Sequence, residues 1–150
     1  MQWNLGKKFE KLPEILKVYQ VDYLECIDNQ RLEGKTLGQI NTENSSWGSY
    51  YAERAAELKH LHDYMEMRKD ETAGKLYQGI KKGSNVALGE REILHYIKSD
   101  PLYIKVNIAT LEVKEMLDKY NAAIQTFRNI GYAMNNLTSL KVAGLEDSEL

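Results

Sequence analysis

The chain has 150 residues, which suits one domain with a hydrophobic core of its own, and we expect a single helical domain over residues 1–150. Its formal net charge of −2 does not favour nucleic-acid binding through overall charge, so any basic surface must be local. Cys26 is the only cysteine, which excludes an intrachain disulfide, and no apolar run approaches the ~18 residues of a membrane-spanning helix. We therefore expect a soluble, intracellular protein.

Residues 1–46 predict a short N-terminal helix followed by an extended connection. Pro13 suits the first turn of a helix, and Asn, Gly and Ser residues make Asp28 to Ser46 typical of turns. Within this connection, Gly34, Lys35 and Thr36 match the end of a phosphate-binding loop. That loop needs a glycine five positions before the Gly-Lys pair, where this chain has Asn29, so nucleotide binding is disfavoured.

A second long helix is predicted over residues 47–83, with Asn44, Ser45 or Ser46 as its cap. Its first half is amphipathic, with Trp47, Tyr51, Leu58, Leu61 and Met65 on the apolar side. His60 and His62 fall on this helix two residues apart, and such side chains point in different directions. They are therefore not expected to hold a metal ion, and Cys26 is read as a half-buried thiol rather than a nucleophile.

The end of this helix is basic and aromatic, with three lysines, a tyrosine and no acidic residue between Lys75 and Gly83. Lysines attract the phosphate backbone of nucleic acids, and an aromatic ring offers a face on which a base stacks. The alternative is that basic residues there merely complement the negative end of the helix dipole. The candidate strand-binding residues are Lys75, Tyr77, Lys81 and Lys82, which Arg68, Lys69 and Arg91 extend if the fold brings them close.

Residues 88–144 predict a short helix over about 88–98 and then the longest helix of the chain, capped by Asp100 with Pro101 in its first turn. Apolar residues recur along it at alternating steps of four and three, which is the spacing of a coiled coil. Gly144 suits the end of this helix, and residues 145–150 form an acidic tail. We assign oligomerisation to this seam, through Leu102, Val106, Val113, Met116, Tyr120, Phe127, Ile130, Met134 and Leu137.

A second side of the same helix is also apolar and consists of Ile104, Ile108, Leu111, Leu117 and Ile124. One side is expected to pack against the chain's own helices and the other against further copies, although an intramolecular bundle with a wide buried face is an alternative. The predicted fold class is all-α. It consists of long helices with a short connecting helix, and its coiled-coil-like C-terminal helix takes part in an oligomeric helical assembly.

From residue 47 to 144 the order of elements resembles the phage recombination mediator proteins of the UvsY type. The likeness rests on the basic and aromatic helix end, on the segment from Glu90 to Asp100, and above all on the run that contains Gly131 and Tyr132. The resemblance implies a non-enzymatic, all-helical subunit that forms a ring of six or seven copies and binds single-stranded DNA. It also implies that the protein helps a phage recombinase replace the single-strand binding protein, in the cytoplasm of an infected host cell.

Three positions depart from the family's pattern. The family's DNA-binding segment has two basic residues two apart, of which Lys75 matches the second and Ala73 replaces the first. Basic residues that the family carries around its Gly-aromatic motif are replaced here by Ile130 and Asn135. The resemblance therefore leaves the DNA contacts of this chain open.

Two rival functions belong to other classes. The first is a helical adaptor or assembly protein that binds only protein, for instance through the tail residues Glu146, Asp147 and Glu149. The second is a small helical enzyme, although the sequence has no catalytic triad, no paired-cysteine zinc motif and no helical metalloprotease motif. Accordingly, we predict no catalytic residues, no cofactor and no metal, and no membrane partner.

Overall fold

A computed structural model describes residues 10–144, and over this range the chain is helical with no strand. Helix α1 spans Leu12–Asn29, α2 spans Leu37–Gly83, α3 spans Glu90–Ser99 and α4 spans Pro101–Val142. The predicted all-α class is confirmed, as is the succession of two long helices joined through a short one. The acidic tail lies outside the described residues.

Helix α2 begins ten residues earlier than predicted, so the connection that follows α1 is much shorter than residues 28–46. Thr36 caps the helix through a reciprocal pair of hydrogen bonds. Its hydroxyl accepts one from the backbone N–H of Gln39 (3.3 Å), and the side-chain oxygen of Gln39 accepts one from the backbone N–H of Thr36 (2.9 Å). This role, rather than phosphate binding, accounts for the threonine of the Gly34-Lys35-Thr36 triplet. Gly34 has φ +74°, a left-handed turn conformation that favours glycine.

Several of the polar residues that predicted a connection lie inside α2, where the side-chain donors of Thr42, Asn44 and Ser46 are satisfied, whereas the Asn44 Oδ1 is buried without a partner among the described residues. The hydroxyls of Thr42 and Ser46 donate to carbonyls one turn earlier in the helix, at 3.0 and 3.2 Å. The Asn44 amide donates to the carbonyl of Phe127 on α4 at 2.9 Å. Because this partner is 83 residues away in sequence, the local pattern gives no sign of it.

The starts of α3 and α4 follow local capping rules. The Glu92 carboxylate accepts the Gly89 amide at 3.0 Å, which completes the first turn of α3. The predicted cap at Asp100 is confirmed, because its carboxylate accepts the amides of Leu102 (2.8 Å) and Tyr103 (3.3 Å). Pro101 is the first residue of α4, as predicted.

The described chain divides into two compact units. Unit 1 comprises Glu57–Leu117 together with residues 10–12, and unit 2 comprises Pro13–Ala56 together with residues 118–144. Each unit has buried apolar side chains of its own, with less than about a tenth of their surface exposed. In unit 1 they include Leu58, Met65, Ile93, Ile97, Val106 and Val113; in unit 2 they include Cys26, Ile40, Tyr51, Tyr120, Phe127 and Met134.

The core of unit 2 is aromatic and contains a buried polar network. The Tyr51 ring stacks on Phe127 with centroids 5.6 Å apart, and it also contacts Tyr120 at 5.9 Å. The carboxylate of Asp22 on α1 accepts hydrogen bonds from the hydroxyls of Tyr50 on α2 (2.8 Å) and Tyr120 on α4 (2.7 Å). Three helices therefore meet at one carboxylate.

Candidate functional site

The basic and aromatic segment forms the last turns of α2, and its helical geometry divides the cations between two faces. Successive residues are rotated by about 100° around a helix, so residues seven apart share a face. Lys82 therefore lies in line with Lys75, and Arg68 lies in line with both. Tyr77 and Lys81 occupy a different side of the helix, so the segment does not present one uniform surface.

Three of the predicted strand-binding cations are paired with carboxylates. Glu71 binds both Arg68 and Lys75, each at 2.7 Å, and Lys69 binds Glu66 at 2.7 Å. The hydrogen bond from Lys75, followed by the charges of Lys75 and Arg68, holds the pKa of the Glu71 carboxyl below its ordinary value. Glu71 thus stays ionised and partly neutralises the two cations beside it.

The cations nearest the end of α2 have no carboxylate partner among residues 10–144. The Lys81 ammonium lies 5.7 Å from the centre of the Tyr77 ring, within the range of a cation–π contact. Lys82 takes part in no ion pair over the same range, and both lysines fall in the last turn of the helix. Their charges also complement the negative end of the helix dipole, as the alternative interpretation requires.

A groove of about 200 Å³ in unit 1 connects part of the basic face with the start of α4. Arg68, Glu71 and Lys75 lie along one side of it, and Leu76, Leu102 and Val106 supply apolar surface. The side chain of Leu102 is about half exposed, whereas Val106 is buried. The groove therefore offers two cations, one carboxylate and an apolar floor.

Arg91 lies on α3 and not on the basic end of α2. His95 and Lys98 follow it at helical spacing of four and three residues and line one groove with it. The sequence prediction did not include these two residues, although their spacing is visible in the sequence.

The seam on α4 is buried along most of its length by the chain itself. Val106, Val113 and Met116 are buried in unit 1, Tyr120, Phe127 and Met134 are buried in unit 2, and Ile130 is half-buried. Only the two ends of the seam, Leu102 and Leu137, are exposed. The buried members can therefore contact another copy only if this packing changes, and oligomerisation through them stays a prediction.

The second apolar side of α4 is exposed near the start of the helix, whereas its later members Leu117 and Ile124 are half-buried. The side chains of Ile104, Ile108 and Leu111 are 42, 51 and 57% exposed. Their spacing of four and three residues places them on one stripe of the helix. One side of α4 was expected to pack within the chain and the other against further copies. The stripe of Ile104, Ile108 and Leu111 is the side that another copy could cover.

The Gly-aromatic run of α4 makes a close helix contact at one residue and is exposed at the next. A β-carbon at Gly131 would lie 3.4 Å from the Asn44 amide nitrogen, so the glycine allows α2 and α4 to approach each other in unit 2. Tyr132 is 67% exposed, and Asn135, which replaces a basic residue of the family, is also exposed. The two positions at which the family carries basic residues, Ile130 and Asn135, therefore add no positive charge to the surface of this chain.

The described residues offer no obvious catalytic or metal centre. No group of three or more His, Cys, Asp or Glu side chains is arranged to hold a metal ion between residues 10 and 144. Burial raises the pKa of the Cys26 thiol to about 11, which opposes formation of the nucleophilic thiolate. None of the four helices combines the length and the apolar character that a membrane crossing needs.

Comparison with known proteins adds no family to these observations. The chain matches no protein-family model, no curated protein and no solved structure. Function must therefore be inferred from the residues themselves and from their resemblance to the UvsY-type mediators.

Proposed function

We propose that the protein is a non-enzymatic recombination mediator that binds single-stranded DNA and helps to load a phage recombinase in exchange for single-strand binding protein. The observation that carries the DNA part is the end of α2, where Lys81 and Lys82 have no carboxylate partner within residues 10–144 and Tyr77 lies beside Lys81. Cations with a neighbouring aromatic ring suit a flexible strand, because phosphates are attracted by charge and bases stack regardless of sequence.

The proposed strand-binding surface has a core and an extension. The core is Lys75, Tyr77, Lys81 and Lys82, and the extension is Arg68 and Lys69. Glu71 partly neutralises Lys75 of the core as well as Arg68, and Glu66 partly neutralises Lys69. One such surface is weak, because only a few phosphates contact it at once. A ring of copies compensates, since several surfaces that engage one strand gain by effective concentration.

The exposed stripe of Ile104, Ile108 and Leu111 supports the proposed oligomer. These three large aliphatic side chains lie in one row on the helix and are 42–57% exposed. Covering them with a second copy removes apolar surface from water, which favours association. The identities of the recombinase and the single-strand binding protein as partners come from the resemblance to the UvsY-type mediators alone.

The DNA part is tested by fluorescence anisotropy with a labelled oligo-dT strand at several salt concentrations. Each lost phosphate contact reduces the salt slope by about 0.7 for single strands. The Lys75→Gln, Lys81→Gln, Lys82→Gln triple variant should therefore have a slope at least about 1.4 units shallower than the wild type, from the loss of Lys81 and Lys82, because Glu71 holds Lys75 in the wild type. Light scattering should give the same oligomer mass for both proteins. Absence of binding at low salt would refute the DNA part of the proposal.

A protein-binding adaptor is the second candidate, and one observation on α1 favours it. Val18 and Val21 are 61 and 53% exposed and line a groove of about 490 Å³ with the acidic residues Glu14, Asp22 and Glu25 and the basic residues Lys17 and Arg54. Apolar side chains bordered by charges of both signs, with the acidic ones in excess, suit an amphipathic, basic segment of a partner protein. Loss of recombinase or single-strand-binding-protein capture in Val18→Asp, with oligo-dT binding unchanged, would favour the adaptor; unchanged capture would exclude this surface.

A further inference from the structure

Helix α3 presents a basic stripe on the side opposite to its buried residues. Ile93 and Ile97 are each 3% exposed and fix the inward side of the helix. Arg91, His95 and Lys98 are spaced by four and three residues, which places them on one outward stripe. All three are exposed. The fold therefore sets these side chains in a row by packing the two isoleucines inward.

The cations of this stripe are not neutralised by carboxylates of the described chain. Arg91 and Lys98 enter no ion pair within residues 10–144, in contrast to Arg68 and Lys75, which share Glu71. Glu92 is the acidic side chain that lines the same groove, and its carboxylate accepts the Gly89 backbone amide at 3.0 Å at the start of the helix. Glu90, next to Arg91 in sequence, is also exposed.

Exposed apolar side chains flank the stripe. Leu94 and Tyr96 are 52 and 56% exposed, and they line an open groove of about 490 Å³ with Arg91, His95 and Lys98. At about 100° per residue, Leu94 lies about 70° from the centre of the cationic row on one side, and Tyr96 lies about 130° from it on the other. The charge is thus central and the apolar surface is lateral.

This arrangement fits a nucleic-acid strand better than a peptide helix. A docked amphipathic helix places its apolar residues at the centre of the contact and its charges at the rim. A single strand instead runs its phosphates along a row of cations while its bases turn aside onto aromatic faces. From Arg91 to Lys98 the helix rises about 10 Å, so the row is long enough to contact more than one phosphate of an extended strand.

We propose that the α3 stripe of Arg91, His95 and Lys98, with Tyr96 as a stacking surface, is a second contact for single-stranded nucleic acid, in addition to the end of α2. This inference rests on the proposed function, since it adds a surface to the same ligand. Arg91 then acts with its α3 neighbours, whereas the sequence prediction groups it with the α2 surface.

The test compares Arg91→Gln/Lys98→Gln with the wild type in oligo-dT anisotropy titrations at pH 8, where histidine is ordinarily neutral. Two lost phosphate contacts should make the salt slope about 1.4 units shallower and weaken binding by about 25-fold at 0.1 M salt. The matched control is Lys59→Gln/Lys114→Gln, which removes two exposed positive charges elsewhere in unit 1 and should leave the slope unchanged. Tyr96→Leu should weaken binding without altering the slope, because stacking releases no counterions.

The outcomes separate this inference from the proposed function. If the wild type binds oligo-dT and Arg91→Gln/Lys98→Gln behaves like the control, the α3 contact is wrong and the α2 surface stands. If the wild type does not bind at low salt, both proposals fall. A third outcome is that a glutamate-rich peptide binds the wild type and binds Arg91→Gln/Lys98→Gln more weakly, while oligo-dT binds both proteins equally. In that case α3 docks an acidic protein segment, and the inference is overturned.

Discussion

Glu71 should restrain the proposed strand-binding surface, and Glu71→Gln should strengthen DNA binding. The carboxylate accepts Arg68 and Lys75 at 2.7 Å each, so both cations must leave it, or share it, to contact phosphates. Glutamine keeps the shape and removes the charge. Each cation made available adds about 0.7 to the magnitude of the salt slope, and two add about 1.4. If the affinity extrapolated to 1 M salt is unchanged, binding at 0.1 M tightens about 5-fold for one cation and about 25-fold for both.

The assay is oligo-dT anisotropy from 50 to 200 mM salt, with Asp63→Asn as the matched control. Asp63 is an exposed carboxylate of the same helix that binds Lys59 at 3.2 Å, so its variant removes the same net charge and frees a lysine outside the proposed surface. The control should bind as the wild type does. Equal affinity of Glu71→Gln and Asp63→Asn, or weaker binding by Glu71→Gln, would show that Arg68 and Lys75 do not contact the strand.

Three further predictions concern stability. Tyr120→Phe should lower the free energy of unfolding in urea by about 1–3 kcal/mol, because it removes a fully buried hydroxyl donor. Gly74→Ala should raise it by about 1 kcal/mol through helix propensity, whereas Gly131→Ala should gain less, because its β-carbon meets a side-chain nitrogen at 3.4 Å. Folding raises the pKa of Cys26 from 9.0 to about 11, so the thiol favours the folded state below pH 9 and this contribution is lost between pH 9 and 11. Cys26→Ala should therefore lose less stability than the wild type over that pH range.

Each of these predictions has an internal check. Tyr132→Phe changes a tyrosine that is 67% exposed and should leave the urea midpoint unchanged. A Gly131→Ala protein as stabilised as Gly74→Ala would show that the Asn44 contact yields without cost. Parallel pH profiles of Cys26→Ala and wild type would refute the burial argument for the thiol. A loss below about 0.5 kcal/mol in Tyr120→Phe would show that water satisfies Asp22 in its place.

The sequence predicted the helices whose ends depend on local chemistry. Asp100 and Pro101 act within two or three residues, and α4 begins where they place it. The predicted start of α2 is ten residues too late, because Asn44 lies inside the helix and its side-chain amide donates to the Phe127 carbonyl, a partner that only the fold supplies. A polar residue that predicts a turn in isolation is thus compatible with a helix once its hydrogen bond is made.

The sequence predicts the candidate site in part. The pairing of its cations with Glu71 can also be inferred from the sequence, because helical ion pairs form between residues three or four apart. A count of lysines between residues 75 and 83 makes the segment basic, but Glu71 stands four residues before Lys75 and three after Arg68, where helical ion pairs form. The same spacing identifies Lys98 as the neighbour of Arg91 on α3. Burial of the seam was less accessible, because two sides of α4 are apolar and the sequence does not say which one the chain covers.

The Asp22 carboxylate has a consequence for the alignment of α1. Aromatic rings tolerate small translations past one another, whereas a carboxylate that accepts two hydroxyls at 2.7 and 2.8 Å does not. Moving α1 by one residue would shift this acceptor by about 1.5 Å along the axis and about 100° around it. Both tyrosine hydroxyls would then lose their acceptor in a largely buried setting. Asp22 thereby fixes the rotation of α1 and its position along its axis. Apolar aromatic packing alone would permit many such arrangements.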